Sequence, residues 1–339
     1  MNHIATAAGY RSIRRFNDAF QNTYGRSPRD LRKAGEESEQ VGRTATLTVR
    51  LPYRPPFSWP ALLTFFSTRA TPGVEAVVAD TYRRTLSNDG QHGVVEIRPD
   101  RRDGYLSLTL LGFNTNTLFE TVQTTREVFD LDAPIAEIRA ELGTDKTLKK
   151  ILRYNPGVRV PGAWNGFELT VRAILGQQIS VKAATTIAGR IAARYGEPLE
   201  TGDAVADPAL NRVFPTPQRL LRARFNDIGI VGSRAGTIRR VAAAVASGEI
   251  VFDAAQDPED FCTALKSIKG IGEWTAQYVA MRALKNPDAF PGSDLGLISA
   301  IAHPARVTPK ELLTRAEDWR PWRAYAAMLL WSSLPGSGG

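Results

Sequence analysis

Apolar residues along the chain follow three successive rhythms. In "IATAAGYRSIRRFNDAFQNTYGRSPRDLRKA", Ile13, Phe16, Phe20 and Tyr24 recur at three- and four-residue spacing, which predicts a helix with one buried face within residues 1–33. Residues 34–45, "AGEESEQVGRTA", are polar and charged, as linkers are. From Thr46 the pattern changes to alternation in "TLTVRLPY", "GVVEIRPD" and "YLSLTLLGF", which predicts strands. Between the first two lies "FSWPALLTFFSTRA", helical in period with Pro60 near its start. A few strands with helices over one face predict a small antiparallel-sheet domain of α+β class over 46–145. Beyond it the strands are expected to stop. Phe167, Val171, Ile174, Leu175 and Ile179 make a helical stripe, and short helical segments broken at Gly or Pro follow, so 146–335 is expected to be all-helical, packed to about Trp331.

Composition narrows the class. At 339 residues the chain has room for two or three domains, and 43% apolar with 23% charged residues is the mixture of an ordinary globular protein. No apolar run is long enough for a membrane span, and the amino terminus lacks a signal-peptide core and cleavage site. With Cys262 as the single cysteine there is no internal disulfide, cysteine-ligated zinc or iron–sulfur cluster. Together these predict a cytoplasmic protein. The net charge of +8, carried mostly by arginine, favours a polyanionic partner whose phosphates suit arginine's planar fork.

Candidate chemistry gathers at "LKSIKGIGEWTAQYVAMRALK", which reads as helix, tight turn and helix. Gly270 and Gly272 are expected to take positive φ and let another backbone approach. The amides of the turn and of the next helix's first residues would then point outward as a nest for phosphate, helped by the helix dipole. Such a grip positions a protein on a strand without reading bases. Asp294 follows, just past the Pro-Gly turn of "AFPGSDLGL".

Four segments in order, "AILGQQISVKAATTIAGRIAARYGE", "IKGIGEWTAQYVAMRAL", "DAFPGSDLGL" and "RAEDWRPWRAYAAMLLW", carry a resemblance to the helix-hairpin-helix DNA glycosylases, and within them to the AlkA type of 3-methyladenine glycosylase II. The resemblance covers about residues 46–331. It implies a helix-hairpin-helix glycosylase domain and a monofunctional N-glycosylase that excises alkylated purines (3-methyladenine and 7-methylpurines) in base excision repair. Its partner would be double-stranded DNA containing alkylated bases, with no membrane involved and the protein acting as a monomer. Alkylation at purine N3 or N7 makes the base cationic, so aromatic faces are its natural recognition surface. Trp274 and Tyr278, four apart, share one helix face. By resemblance, Trp322 in "WRPWRAY" would be the third wall. Asp294 would be the catalytic carboxylate that stabilises the oxocarbenium-like sugar, and it also stands where it can cap the helix "LGLISAIA". The strand-nicking branch carries a Schiff-base lysine at the position of Trp274. No cofactor is required. A structural monovalent cation is implied at the carbonyls of Lys266, Ile268 and Ile271, while the amides of Gly270, Gly272 and Thr275 face the phosphate. The family's wedge into the space of the flipped base is a leucine; here Gln178 stands in its place. Ser293 replaces a neighbouring carboxylate.

Two alternatives accompany this reading. An oxidised-purine glycosylase of the same fold is disfavoured by the missing lysine. A regulator without catalysis is suggested by "AGYRS" and "YGRSP", which resemble the last helix-turn-helix of AraC-type proteins, with Ser12, Arg14, Arg15 and Asn17 near the recognition face. That segment also reads as a truncated remnant of a longer fusion. Cys262, in "DFCTAL", is expected to be a small buried hydrophobe rather than the reactive cysteine of an Ada-type methyl acceptor.

Overall fold

The computed structural model describes residues 14, 21, 46–88, 90–113, 117–199, 208–230, 232–301 and 307–334. The expected helix-turn-helix and linker lie outside the described residues except for Arg14 and Gln21, both helical and exposed.

Alternation along the first segment builds an antiparallel sheet of β1 (Thr46–Pro52), β2 (Glu75–Val78), β3 (Thr81–Asn88), β4 (Gln91–Pro99) and β5 (Tyr105–Leu111), in the order β1-β5-β4-β3-β2. Leu47, Val49 and Leu51 point inward from β1, and Val49 faces Leu108 in register. Helices α1 (Trp59–Ser67) and α2 (Leu118–Val128) bury Leu62, Phe66 and Val122 in the same core as that sheet's apolar residues. The β2–β3 hairpin was not expected from the sequence. Its period is obscured because two charged residues, Glu75 and Arg84, point inward and are buried.

The remaining helices are α3 (Ile135–Leu142), α4 (Lys146–Tyr154), α5 (Gly166–Gly176), α6 (Val181–Tyr195), α7 (Pro217–Leu221), α8 (Gly232–Ala246), α9 (Pro258–Ser267), α10 (Glu273–Ala283), α11 (Leu295–Ile301), α12 (Pro309–Ala316) and α13 (Arg323–Ser332). Their starts follow the capping rule: Asp145, Asn165, Ser180, Asp257 and Thr308 each accept a bond from a first-turn amide. The strands do not stop as expected. Glu197–Pro198 (β6) and Arg212–Val213 (β7) pair antiparallel inside the helical part, too short to leave a period in the sequence. The stripe of α5 also ends earlier than expected. The helix stops at Gly176, so Ile179 falls in the following turn.

A buried ionic cluster joins the two parts. Arg84 of β3 pairs with Glu75 at 3.0 Å and with Glu168 of α5. Arg172, one turn further along α5, pairs with Glu75 at 2.8 Å and Glu168 at 3.1 Å. Burial alone would raise the Glu75 carboxyl, but Arg172 and Arg84 outweigh it and hold it at about 2. This cluster fixes α5, and hence the turn that follows it, against the sheet.

Candidate active site

The segment between α9 and α10 is a tight turn closed by the Ile271 amide donating to the Ile268 carbonyl at 3.0 Å, with both isoleucine side chains buried. Gly270 has φ of 102°, and a Cβ there would lie 2.0 Å from Thr237 Oγ1. That hydroxyl is already engaged: it donates to the Lys269 carbonyl at 3.1 Å, beside Arg240 Nη2 at 2.7 Å. A glycine is therefore required at 270. At 272 the expectation of positive φ is corrected. Gly272 has φ of −103°, a conformation open to any residue, and a Cβ there would meet nothing within 4 Å. Gly272 opens α10 with no side-chain cap, so its first-turn amides, including that of Thr275, face outward without a helical acceptor. The space in front of Gly272 is thus an approach to a row of N–H donors at a helix N-terminus. Lys266 and Glu273 clasp the turn's two ends at 2.6 Å.

A second turn, between α5 and α6, is bolted to the first. Gln177 Nε2 donates to the Gly270 carbonyl and to Thr275 Oγ1, both at 3.1 Å, and Arg234 donates to the Gln177 carbonyl. Gln178 is exposed at the tip, with φ of 61°. The bracing role of Gln177 was not legible beforehand, because its partners lie some ninety residues away on another element.

Between these turns and the sheet-side helix α1 lies a cavity of about 810 Å³. Trp274 and Tyr278 stack along one side, centroids 5.2 Å apart and 7° from parallel. Trp331 meets Tyr278 edge-on at 6.3 Å, and Phe65 of α1 adds a fourth ring to the lining. Asp294 also lines this space. Trp274 Nε1 donates to its Oδ2 at 2.7 Å, and Trp331 Nε1 donates to its Oδ1 at 2.9 Å. The Leu297 amide donates to Oδ1 at 3.0 Å, so the carboxylate caps α11 while facing the cavity. Both readings of Asp294 hold at once.

The structure brings Trp274, Tyr278 and Asp294 together but does not bring Trp322 to them. Trp322 precedes α13, where its ring meets Tyr325 edge-on at 5.8 Å, and it is not among the cavity's lining residues. Trp331 takes the third-wall position. Nine residues at about 100° each is a half-integral number of turns, so 322 and 331 project to opposite sides of α13. That spacing was the signal that could have separated them.

Three arginines also reach the cavity. Arg172 is neutralised by the buried cluster. Arg282 donates to the carbonyls of Pro161 and Gly162 at 2.8 and 3.0 Å, and to Tyr278 Oη at 2.6 Å. Arg69 lies over the Phe65 ring at 4.0 Å. Burial pushes the Tyr278 phenol up, but Arg282, Arg69 and Arg172 outweigh it and leave the group below its ordinary value. Cys262 is buried, and its thiol is pushed up to about 11 by that burial, as suits a small core residue rather than a nucleophile.

Comparison with known proteins agrees with this arrangement. Residues 48–165 match the model of the AlkA N-terminal domain, and residues 171–324 match that of the HhH-GPD superfamily base excision DNA repair proteins. The chain is 36% identical over 334 residues to a Mycobacterium tuberculosis protein named as a probable bifunctional transcriptional activator/DNA repair enzyme AlkA, a match covering 98% of this chain and 66% of that protein. It is 32% identical to DNA-3-methyladenine glycosylase 2 of Escherichia coli, covering 83% of this chain and 95% of the relative. Among solved structures, a 3-methyladenine DNA-glycosylase from Archaeoglobus fulgidus superposes with a TM-score of 0.73 at 23% identity, over 84% of this chain and 97% of that one, a likeness of fold.

Proposed function

The chain belongs to the HhH-GPD superfamily of base excision DNA repair proteins, and from that membership we propose that it is a monofunctional DNA N-glycosylase for alkylated purines, chiefly 3-methyladenine and 7-methylpurines. The observation that carries this reading is Asp294, held by the indoles of Trp274 and Trp331 at the wall of an aromatic cavity, beside a helix N-terminus free to take phosphate. A target base must leave the stack before its glycosidic bond can be reached. The amides of Gly270, Gly272 and Thr275 grip the strand, and Gln178 enters the space the base vacates and offers its amide to the orphaned partner. The flipped base is received by Trp274, Tyr278 and Trp331, whose faces suit an electron-poor ring. As the C1′–N bond lengthens, Asp294 stabilises positive charge on the sugar and orients the attacking water. Trp274 supplies no amine for a covalent sugar intermediate, so the strand is left unbroken.

The turn also fits a monovalent cation. The last carbonyls of a helix have no intrahelical partner, and the carbonyls of Lys266, Ile268 and Ile271 converge in sequence on that end of α9. Such an ion would fix the turn and add positive charge beside the phosphate. The enzyme works as a monomer in the cytoplasm, on chromosomal duplex DNA.

Incubating the full chain with methylated duplex DNA is expected to release free 3-methyladenine and to leave alkali-labile but unbroken strands. Absence of free base, or strand breaks without alkali, overturns the reading. The third wall has its own test. Trp331→Phe keeps a ring but removes a donor to Asp294, and should slow single-turnover base release about tenfold, the scale of one hydrogen bond to a charged group. Trp322→Phe should leave the rate unchanged. The reverse pattern would restore Trp322 to the pocket.

A further inference from the structure

The charges around the cavity are arranged along a ladder of contacts. At one end Asp294 is bonded to Trp274, and Trp274 stacks on Tyr278. Tyr278 Oη accepts from Arg282, which lies 4.9 Å from the centre of the Phe65 ring. Arg69 covers the same ring at 4.0 Å and forms the other end. Unlike Arg172, neither Arg69 nor Arg282 is ion-paired with a carboxylate among the described residues. Arg282 spends its donors on two backbone carbonyls and Tyr278. Arg69 Nη1 donates to the Phe65 carbonyl at 3.3 Å and to Thr68 Oγ1 at 3.0 Å. A guanidinium has more N–H donors than these contacts use, and Arg69 is among the residues lining the cavity. Burial, together with Arg282 and Arg172, disfavours its charge, while Tyr278 favours it. A hydrogen-bond acceptor arriving in the cavity would relieve that burden.

A pocket built only for cationic bases would not place unpaired guanidinium groups opposite its carboxylate. We propose that Arg69 is a specificity-determining residue which donates to the acceptor edge of the flipped base, and so favours neutral, carbonyl-bearing purines against cationic alkylated ones. The inference rests on the glycosylase reading and extends it to a second substrate class. A neutral purine is a poor leaving group. When its C1′–N9 bond breaks, the electron pair goes to the base, the hydroxyl of a water bonds C1′, and the water's remaining proton ends on the purine. The negative charge that develops on the carbonyl and ring nitrogens during bond breaking is stabilised by a charge-assisted donor aimed at them. A cationic base develops no such charge and is repelled by the same guanidinium.

The test compares single-turnover release of hypoxanthine and of 3-methyladenine from otherwise identical duplexes, by the full chain and by Arg69→Met and Arg69→Lys. The ratio of the two rates, taken on one preparation, is independent of the fraction folded, so loss of stability cannot mimic the effect. Arg69→Met is expected to lower the hypoxanthine to 3-methyladenine ratio about tenfold, on the scale of one transition-state donor. Arg69→Lys, which keeps the charge without the fork, should restore part of it. If both rates fall by the same factor, or neither changes, the inference is wrong while the glycosylase reading stands. If the wild type releases 3-methyladenine but no hypoxanthine, the inference fails again. If it releases neither, the underlying reading falls first.

Discussion

Asp294→Asn is expected to slow single-turnover release of 3-methyladenine roughly 10²- to 10³-fold, the range for removing a preorganised electrostatic group from a water-poor site. The substitution is nearly isosteric, so the effect should be confined to chemistry. An asparagine oxygen can still accept from the Leu297 amide, so the cap on α11 survives. Its NH₂, however, would face one of the two indole N–H groups that now donate to the carboxylate. Donor against donor cannot bond, so the amide turns or Trp274 or Trp331 shifts, and the charge facing the sugar is gone in either case. Ser293, exposed beside it, offers no second carboxylate as a substitute. Binding to duplex DNA should persist, because the hairpin amides are untouched. An Asp294→Asn protein that releases base at the wild-type rate would remove Asp294 from the mechanism.

How far the site could be read beforehand depended on where each residue's partners lie. Trp274 and Tyr278 were legible because a four-residue spacing on one helix settles their common face. Asp294 was legible as a cap and as a family position, and the structure joins the two by placing a cap residue at a cavity wall. The choice between Trp322 and Trp331 needed the phase of α13, which a motif match ignores. Glu75 and Arg84 hid the β2–β3 hairpin because buried ion pairs invert the alternation that marks a strand. Arg69 and Arg282 were invisible as pocket residues for a related reason. Arg282 is anchored by Pro161 and Gly162, far away in sequence, and nothing local distinguishes such an arginine from a solvated one. In each case the failure lies in long-range contacts, while helix phase and capping chemistry transferred.

The two glycines of the hairpin should separate folding from binding. At 270 a valine meets two obstacles: a φ of 102° that side chains rarely adopt, and a Cβ placed 2.0 Å from Thr237 Oγ1. Strained backbone of this kind costs about 1–3 kcal/mol before the clash is counted. The displaced Thr237 also gives up its bond to the Lys269 carbonyl. Gly270→Val is therefore expected to lower the melting temperature by several degrees and to lose DNA binding with it. At 272 the same valine fits the extended backbone and touches no protein atom, so the melting temperature should not move. Its branched side chain instead occupies the approach to the amides of α10. Losing a pair of charge-assisted hydrogen bonds to phosphate should weaken binding about 10²-fold. Since phosphate contacts carry no sequence information, the loss should be the same on every duplex, damaged or not. Titrating both variants against labelled duplexes of different sequence, alongside thermal melts, reads the two effects apart. A Gly272→Val protein that binds as tightly as wild type would mean that the open N-terminus of α10 is not where the strand is held.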